Sequence, residues 1–435
     1  MLLYNTADKK YVQPLKNAVL QSLAPGKGLY MPCHLPLLNE DFIENIEKYS
    51  LQDIGFEVCK SLFSGYIPED RLREIIDQSI NFPADLVKLS DDIYSMELWH
   101  GPSLAFKDFG ARFMAALMSY FVEGEQKPLS ILVATSGDTG GAVAFGFLGL
   151  PNIEVIILYP KGKVSHLQEK QLTTLGKNIH ACEVNGTFDD CQYLVKEAFD
   201  DSDLSKVYHL SSANSINIAR LIPQSFYYFE AYKHLKSIRK KIVASVPSGN
   251  FGNLTAGLLA HKMGLPIDHF IAATNVNHVV PDYLSTGVFD PKPSIATISN
   301  AMDVGNPSNF VRMQEMFHHD YLSMNKLVSG RYYTDEETKD EMMHIYKQSS
   351  YISEPHGAIG HRALRSYLEN HTDKIGFFLE TAHPSKFEDT VNETLGINIQ
   401  IPERLAILSE RKKVAVPLEN NYASFKDFLI KRRRL

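Results

Sequence analysis

The sequence predicts an α/β fold: two open, mainly parallel sheets flanked by helices, preceded by a small helical domain. Three observations predict it. From about residue 93 onward, short β-branched runs alternate with helix-patterned segments. Several of those runs are apolar throughout, as parallel strands covered on both faces should be. Residues 1–92 show the helical period instead. A length of 435 residues gives a prior of about three domains and leaves room for two sheets with their own cores.

Taken in order, the chain begins with a loop, Ala24-Pro25-Gly26-Lys27-Gly28, followed by three expected helices over 40–49, 51–63 and 69–80. Pro68 opens the last one, in the first-turn position where proline is tolerated, with acidic residues after it. Asn81-Phe82-Pro83 stops it. Nothing in 1–92 suggests chemistry, and it reads as an N-terminal, mainly helical domain. An alternating run from Ile93 to Trp99 then reaches a Gly101-Pro102 turn and an amphipathic segment over 109–121. Strands are expected at 131–134, 155–158, 179–182, 242–246 and 270–273. Helices are expected near 140–148, 165–175, 188–199, 215–235 and 252–263. The expected division is a large α/β domain of 93–115 with 240–435, and a small α/β domain of 116–239.

Composition is that of a globular chain, 44% hydrophobic and 22% charged, and a formal charge of -7 argues against a general nucleic-acid or membrane role. The one basic cluster, Lys431-Arg432-Arg433-Arg434, reads as a solvated helix end. Cys33, Cys59, Cys182 and Cys191 are scattered without a C-x-x-C pair, which fits a reduced intracellular protein better than a disulfide framework or zinc site. The first ten residues hold no signal-peptide core, and no apolar run is long enough to span a bilayer, so a cytoplasmic location is expected.

Lys107 is the first candidate for chemistry. It stands between Phe106 and Phe109, where a strand, a turn and a helix meet. An apolar surround disfavours the ammonium and makes the amine nucleophilic near neutral pH. A solvated lysine, or one paired with Asp108 at a helix start, explains the local sequence as well.

Three loops carry further signals. Pro247-Ser248-Gly249-Asn250-Phe251-Gly252-Asn253 follows an apolar strand and leads into a helix, so converging amides and the helix N-terminus make an anion cradle. It matches neither the P-loop nor the G-x-G-x-x-G pattern, and a tight turn with packing glycines is an equal reading. Thr135-Ser136-Gly137-Asp138-Thr139-Gly140 has the same strand-to-helix form; its hydroxyls suit a carboxylate or phosphate, or Ser136 and Thr139 serve as N-caps. Asn214, Ser215 and Asn217 crowd a strand end, with Arg220 about one and a half turns into the following helix as a bidentate clamp for an anion. An Asx-rich cap with a surface arginine is the alternative.

The histidines His318-His319 and His356…His361 have no zincin spacing and no cysteine set, so no catalytic metal is expected. Ser353-Glu354-Pro355-His356-Gly357-Ala358 has the residues of a cleft lining or of an ordinary turn. A buried-type strand ends at Thr381, whose hydroxyl is either structural or faces a ring nitrogen.

Together these segments resemble the threonine synthases, within the fold-type-II pyridoxal-phosphate enzymes. The resemblance is carried by His100 to Gly110, Ala134 to Gly140, Leu158 to Lys163, Ser212 to Arg220, Val246 to Gly257 and Ala272 to Asn277. Tyr4-Asn5-Thr6 and the helical N-terminal region look like that family too, and the match weakens beyond about 390. It implies a tryptophan-synthase-β-like fold and pyridoxal 5'-phosphate as cofactor. Lys107 would hold the cofactor as a Schiff base; Gly249, Asn250, Phe251, Gly252 and Asn253 would bind its phosphate; Thr381 would face the pyridine nitrogen. A neutral hydroxyl there implies a largely unprotonated ring. Asp138 stands where many relatives have asparagine near the cofactor's 3-hydroxyl. Thr135, Ser136 and Thr139 would take the substrate α-carboxylate, and Asn214, Ser215 and Arg220 its phosphate.

The implied reaction, the last step of threonine biosynthesis, converts O-phospho-L-homoserine and water into L-threonine and phosphate, with Lys107 moving protons. A serine/threonine dehydratase, a phospholyase-like paralogue or a β-replacing synthase on the same scaffold are the neighbouring alternatives. A non-catalytic binding protein that kept the fold is the alternative from another class. No nucleic-acid or membrane partner is expected, and the chain is expected as a monomer or homodimer.

Overall fold

The apolar runs expected as covered strands form the centres of two sheets. The computed structural model describes residues 1–433. The larger sheet has six strands in the spatial order Val328–Tyr332, His269–Thr274, Lys241–Pro247, Lys374–Glu380, Ile93–Glu97 and Asp85–Lys88. All neighbours are parallel except the last pair, where Asp85–Lys88 adds an antiparallel edge. The second sheet has five parallel strands in the order Val416–Glu419, Ile179–Asn185, Ile153–Pro160, Leu129–Ala134 and His209–Ser212. Every residue of Leu129–Ala134 and of His269–Thr274 is buried, which explains the apolar runs over 131–134 and 270–273 within them. Its edge strand, Val416–Glu419, returns to it from beyond the larger sheet in sequence.

The helix Lys107–Phe121 starts two residues earlier than its periodicity predicts. Its inner face is anchored by Phe109, which meets Phe82 and Tyr227 edge-on at ring distances of 4.8 and 5.4 Å. Full burial of a side chain of this size stabilises by about 1.5–3 kcal/mol, so the first turn, and Lys107 with it, is held in place.

The N-terminal region differs from expectation. It contains an antiparallel sheet of Val12–Pro14, Leu2–Asn5 and Tyr30–Pro32, whose strands of three and four residues are too short for a period to register. The expected helix over 40–49 is Glu40–Glu44 and a 3₁₀ turn Ile46–Lys48 joined at Asn45. Leu51–Phe63 has the predicted ends and a capping box between Ser50 and Asp53. Pro68 caps the helix Glu69–Ser79 from outside its first turn.

The basic cluster is not wholly solvated. Arg432, in the helix Tyr422–Arg433, reaches Glu154 at 3.2 Å and docks that helix on the five-stranded sheet; Arg434 lies outside the described residues. The four cysteines are unpaired. Among the described residues no helix is long and apolar enough to cross a membrane.

Candidate active site

The carboxyl ends of both sheets supply the loops that carried the sequence signals, as parallel α/β folds require. The loop before Lys107 is stitched to the segment that follows Lys374–Glu380. Leu98 N donates to Glu380 O at 3.1 Å, Phe106 N to Thr381 O at 2.8 Å and His383 N to Leu104 O at 3.0 Å, and Ala105 bridges Ala382. Leu104 is buried at φ 58°, a left-handed backbone that disfavours a leucine by about 1–3 kcal/mol and persists because these bonds fix it. The side chain of Lys107 is thereby set near Thr381, at a helix start.

Lys107 Nζ has no hydrogen-bond or ion-pair partner among the described residues. Burial lowers its pKa below the ordinary lysine range; Asp138 and Glu354 oppose that shift, while Lys386 and Arg220 reinforce it. Asp108 does not pair with it. Its buried carboxylate turns back to accept from Ser103 N at 2.8 Å, and burial pushes its pKa up to about 6. Gly101 makes this approach possible, since a Cβ there would stand 2.4 Å from Asp108 Oδ2.

The loop after Lys241–Pro247 leads into the helix Gly252–Lys262. The amides of Gly249, Asn250 and Phe251 have no acceptor among the described residues. Phe251 caps the helix Gly252–Lys262 at φ 60° with no side-chain cap, so that helix start is open as well. Gly249 is forced, because a Cβ would meet Ala301 O at 2.5 Å. At Gly252 a Cβ would meet nothing nearer than 3.5 Å, so packing within the protein does not demand glycine; close approach of a ligand to the amide would. Asn253 uses its side chain on Pro247 O, at 2.6 Å, and offers the loop only its backbone.

The second loop corrects two expectations. The helix Asp138–Phe147 is capped by Gly137, at φ 139°, and not by Ser136 or Thr139. The Thr135 hydroxyl accepts from Gly137 and Gly140 amides at 3.0 and 2.8 Å and donates to Gly137 O at 3.2 Å, so it shapes the loop and has no capacity left for a ligand. Ser136 is exposed and Thr139 half-buried, both open for one. Asp138 is buried and held by Lys386 at 2.6 Å and Gln168 at 3.0 Å. Burial alone would raise its pKa, but Lys386 and Lys107 outweigh burial and hold the carboxyl far below its usual range. Lys386 is itself fully buried and donates to Ser103 O at 3.0 Å.

Thr381 Oγ1 donates to Glu354 Oε1 at 2.7 Å. Glu354 is fully buried and also accepts from the amides of His356, Gly357 and Thr381 at 2.7, 3.2 and 3.3 Å. Arg220 lies in the first turn of the short helix Ile218–Leu221, earlier than expected, and is buried, not on the surface. Its Nη1 donates to Ala213 O at 2.6 Å, its Nε is unpartnered, and no carboxylate pairs with it among the described residues. Burial lowers its pKa to about 10. The buried Asn214 Oδ1 is unpartnered too, and Ser215 is half-buried. Gly110, one turn beyond Lys107, leaves room for this guanidinium: a Cβ there would stand 2.9 Å from Arg220 Nε.

Lys107, Asp138, Thr381 and Arg220 are therefore neighbours, with the cradle at the end of an adjacent strand of the Thr381 sheet. Glu354, His356, Lys386 and Gln168 were not singled out by sequence. Ser353 to Ala358 gave the only hint for the first two; a lysine two residues after a proline gave none for Lys386. An unpaired, charge-averse amine, open amides over Gly249 to Phe251 and a hydroxyl at the end of the adjacent strand fit a cofactor with an aldehyde, a phosphate and a ring nitrogen.

Comparison with known proteins agrees. Family models match in three stretches: threonine synthase N terminus over residues 3–80, pyridoxal-phosphate dependent enzyme over 81–378, and threonine synthase C-terminal over 357–429. Threonine synthase of Serratia marcescens is 46% identical over 440 residues, covering 99% of each chain. The crystal structure of threonine synthase from Escherichia coli has a TM-score of 0.93 at 43% identity, covering 99% of this chain and 100% of that one. The pyridoxal-phosphate-bound threonine synthase from Brucella melitensis gives 0.93 at 32%, covering 100% of both. The chain belongs to the threonine synthase family of pyridoxal-phosphate-dependent enzymes.

Proposed function

We propose that the chain converts O-phospho-L-homoserine and water into L-threonine and phosphate. The observation that carries this reading is Arg220: a buried guanidinium with no carboxylate partner among the described residues and an unpartnered Nε, against the first turn of the Lys107 helix. A buried cation of this kind is strongly disfavoured unless an anion joins it. The cradle over Gly249 to Asn253 accounts for one phosphate, so Arg220 accounts for a second, on the substrate.

Lys107 would hold pyridoxal 5'-phosphate through Nζ, with Gly249, Asn250, Phe251, Gly252 and Asn253 around its phosphate and Thr381 at the ring nitrogen. When bound, the cofactor supplies an electron sink for breaking C–H bonds near the substrate amine. Asp138, kept ionised by Lys386, would stand near the cofactor's 3-hydroxyl. Ser136, Thr139 and the amides at the start of Asp138–Phe147 would receive the substrate α-carboxylate. Arg220, Asn214 and Ser215 would hold the phosphate until it leaves. Lys107, with a lowered pKa and no fixed partner, is placed to take and return protons at the substrate carbons.

Incubation with O-phospho-L-homoserine tests this directly: threonine and phosphate should appear in equal amounts. Release of ammonia and an α-keto acid in place of threonine would overturn it.

A further inference from the structure

The hydrogen bonds behind Thr381 have a fixed direction. Ala301 N donates to His356 Nε2 at 3.2 Å, so the proton of the neutral ring sits on Nδ1, and His356 Nδ1 donates to Glu354 Oε2. The amides of His356, Gly357 and Thr381 also point at Glu354 and cannot reverse, because an amide only donates. The remaining contact is Thr381 Oγ1, at 2.7 Å. Surrounded by donors, Glu354 accepts the hydrogen bond of the Thr381 hydroxyl, and Oγ1 presents only lone pairs to the site.

Five donors converge on the two carboxylate oxygens of Glu354 and leave neither oxygen facing an acceptor. Glu380 lies directly beneath: it accepts from Glu354 N at 2.6 Å and from Ser353 Oγ at 2.8 Å. Burial, reinforced by Glu354 and less by Glu97, drives the Glu380 carboxyl well up, toward its neutral form. On the site side the charged groups are Lys107 and, beyond it, Arg220 and the pair of Asp138 with Lys386. Glu354 is thus the carboxylate one hydroxyl away from the place assigned to the ring.

We propose that Glu354 is a positioning residue that, acting through Thr381, holds the cofactor ring nitrogen protonated. The inference rests on the reading that Thr381 faces that nitrogen. A bare nitrogen would meet the Oγ1 lone pairs, acceptor against acceptor; a protonated one donates to Oγ1 and feels the Glu354 charge. This reverses the expectation that a neutral hydroxyl leaves the ring unprotonated. By keeping that proton in place, Glu354 strengthens electron withdrawal from the substrate carbons.

The test is nitrogen NMR of the protein loaded with pyridoxal phosphate labelled with ¹⁵N in the ring. The wild-type resonance should fall at the pyridinium position, and Thr381→Ser should leave it there. Glu354→Gln replaces the carboxylate with an uncharged side chain able to donate to Thr381, and should move the resonance to the free-pyridine position. Where that variant does not fold, Thr381→Val should produce the same shift. A free-pyridine resonance in the wild type, or no shift in either variant, overturns the inference while the site reading stands. Borohydride that fails to fix the label on Lys107 overturns the site reading, and this inference with it.

Discussion

Lys386 Nζ lies 2.6 Å from Asp138 Oδ1, and solvent reaches almost none of either side chain. The pair ties the segment after Thr381, at the end of the larger sheet, to a helix start above the smaller one. Breaking a buried pair leaves one charge uncompensated, at about 3–5 kcal/mol. Lys386→Met should therefore lower stability by about that much in urea unfolding. Adding Asp138→Asn should restore most of it. Additive losses in the double variant would show that the pair is not coupled.

Lys107→Ala should leave the fold intact, because Nζ has no hydrogen-bond or ion-pair partner among the described residues. The variant should lose the borohydride-fixable cofactor and lose turnover by at least about 10²–10⁴-fold, the range for a positioned proton-transfer group. Absorbance spectra and single-turnover assays check both.

Arg220→Met separates binding from stability. Loss of a buried charge that contacts substrate lowers kcat/KM by about 10²-fold or more, and inhibition by inorganic phosphate should weaken in parallel. Since Arg220 has no carboxylate partner among the described residues, its removal should leave unfolding temperature unchanged or raised. A large fall in stability with unchanged phosphate inhibition would make this arginine structural.

Asp108 gives a pH signature. Burial lifts its pKa from 3.8 to about 6, so between those values the folded protein keeps a proton that the unfolded chain has lost. Its contribution to stability therefore falls as pH rises through that window, reaching a penalty of about 3 kcal/mol above it. Asp108→Asn removes the titration, so its stability relative to wild type should climb from about pH 4 to about pH 6. Parallel stability curves across the window would refute the shifted pKa.

Much of this was legible before the structure. The buried strands declared themselves because both faces are covered, and the runs 131–134 and 270–273 within them contain no polar residue. Lys107, Asp138, Thr381 and Arg220 sit at strand-to-helix junctions, where residue types and turn chemistry carry local information. The directions of their bonds were not legible. Thr135 read as a ligand because a loop hydroxyl advertises capacity, and only the structure shows that capacity filled by Gly137 and Gly140. Glu354 and Lys386 were missed for a different reason. Each meets its partner across more than twenty residues of sequence, Thr381 for one and Asp138 for the other, and no periodicity records such a meeting.

The strand Val416–Glu419 pairs with Ile179–Asn185, over two hundred residues earlier in the sequence. During synthesis, the earlier strand therefore emerges long before its neighbour and waits with one row of backbone donors and acceptors unmatched. Such an edge is where nascent chains stick to one another. The smaller sheet can close only after the larger one has been translated, so truncation before residue 416 would leave most site residues present on a protein prone to aggregate.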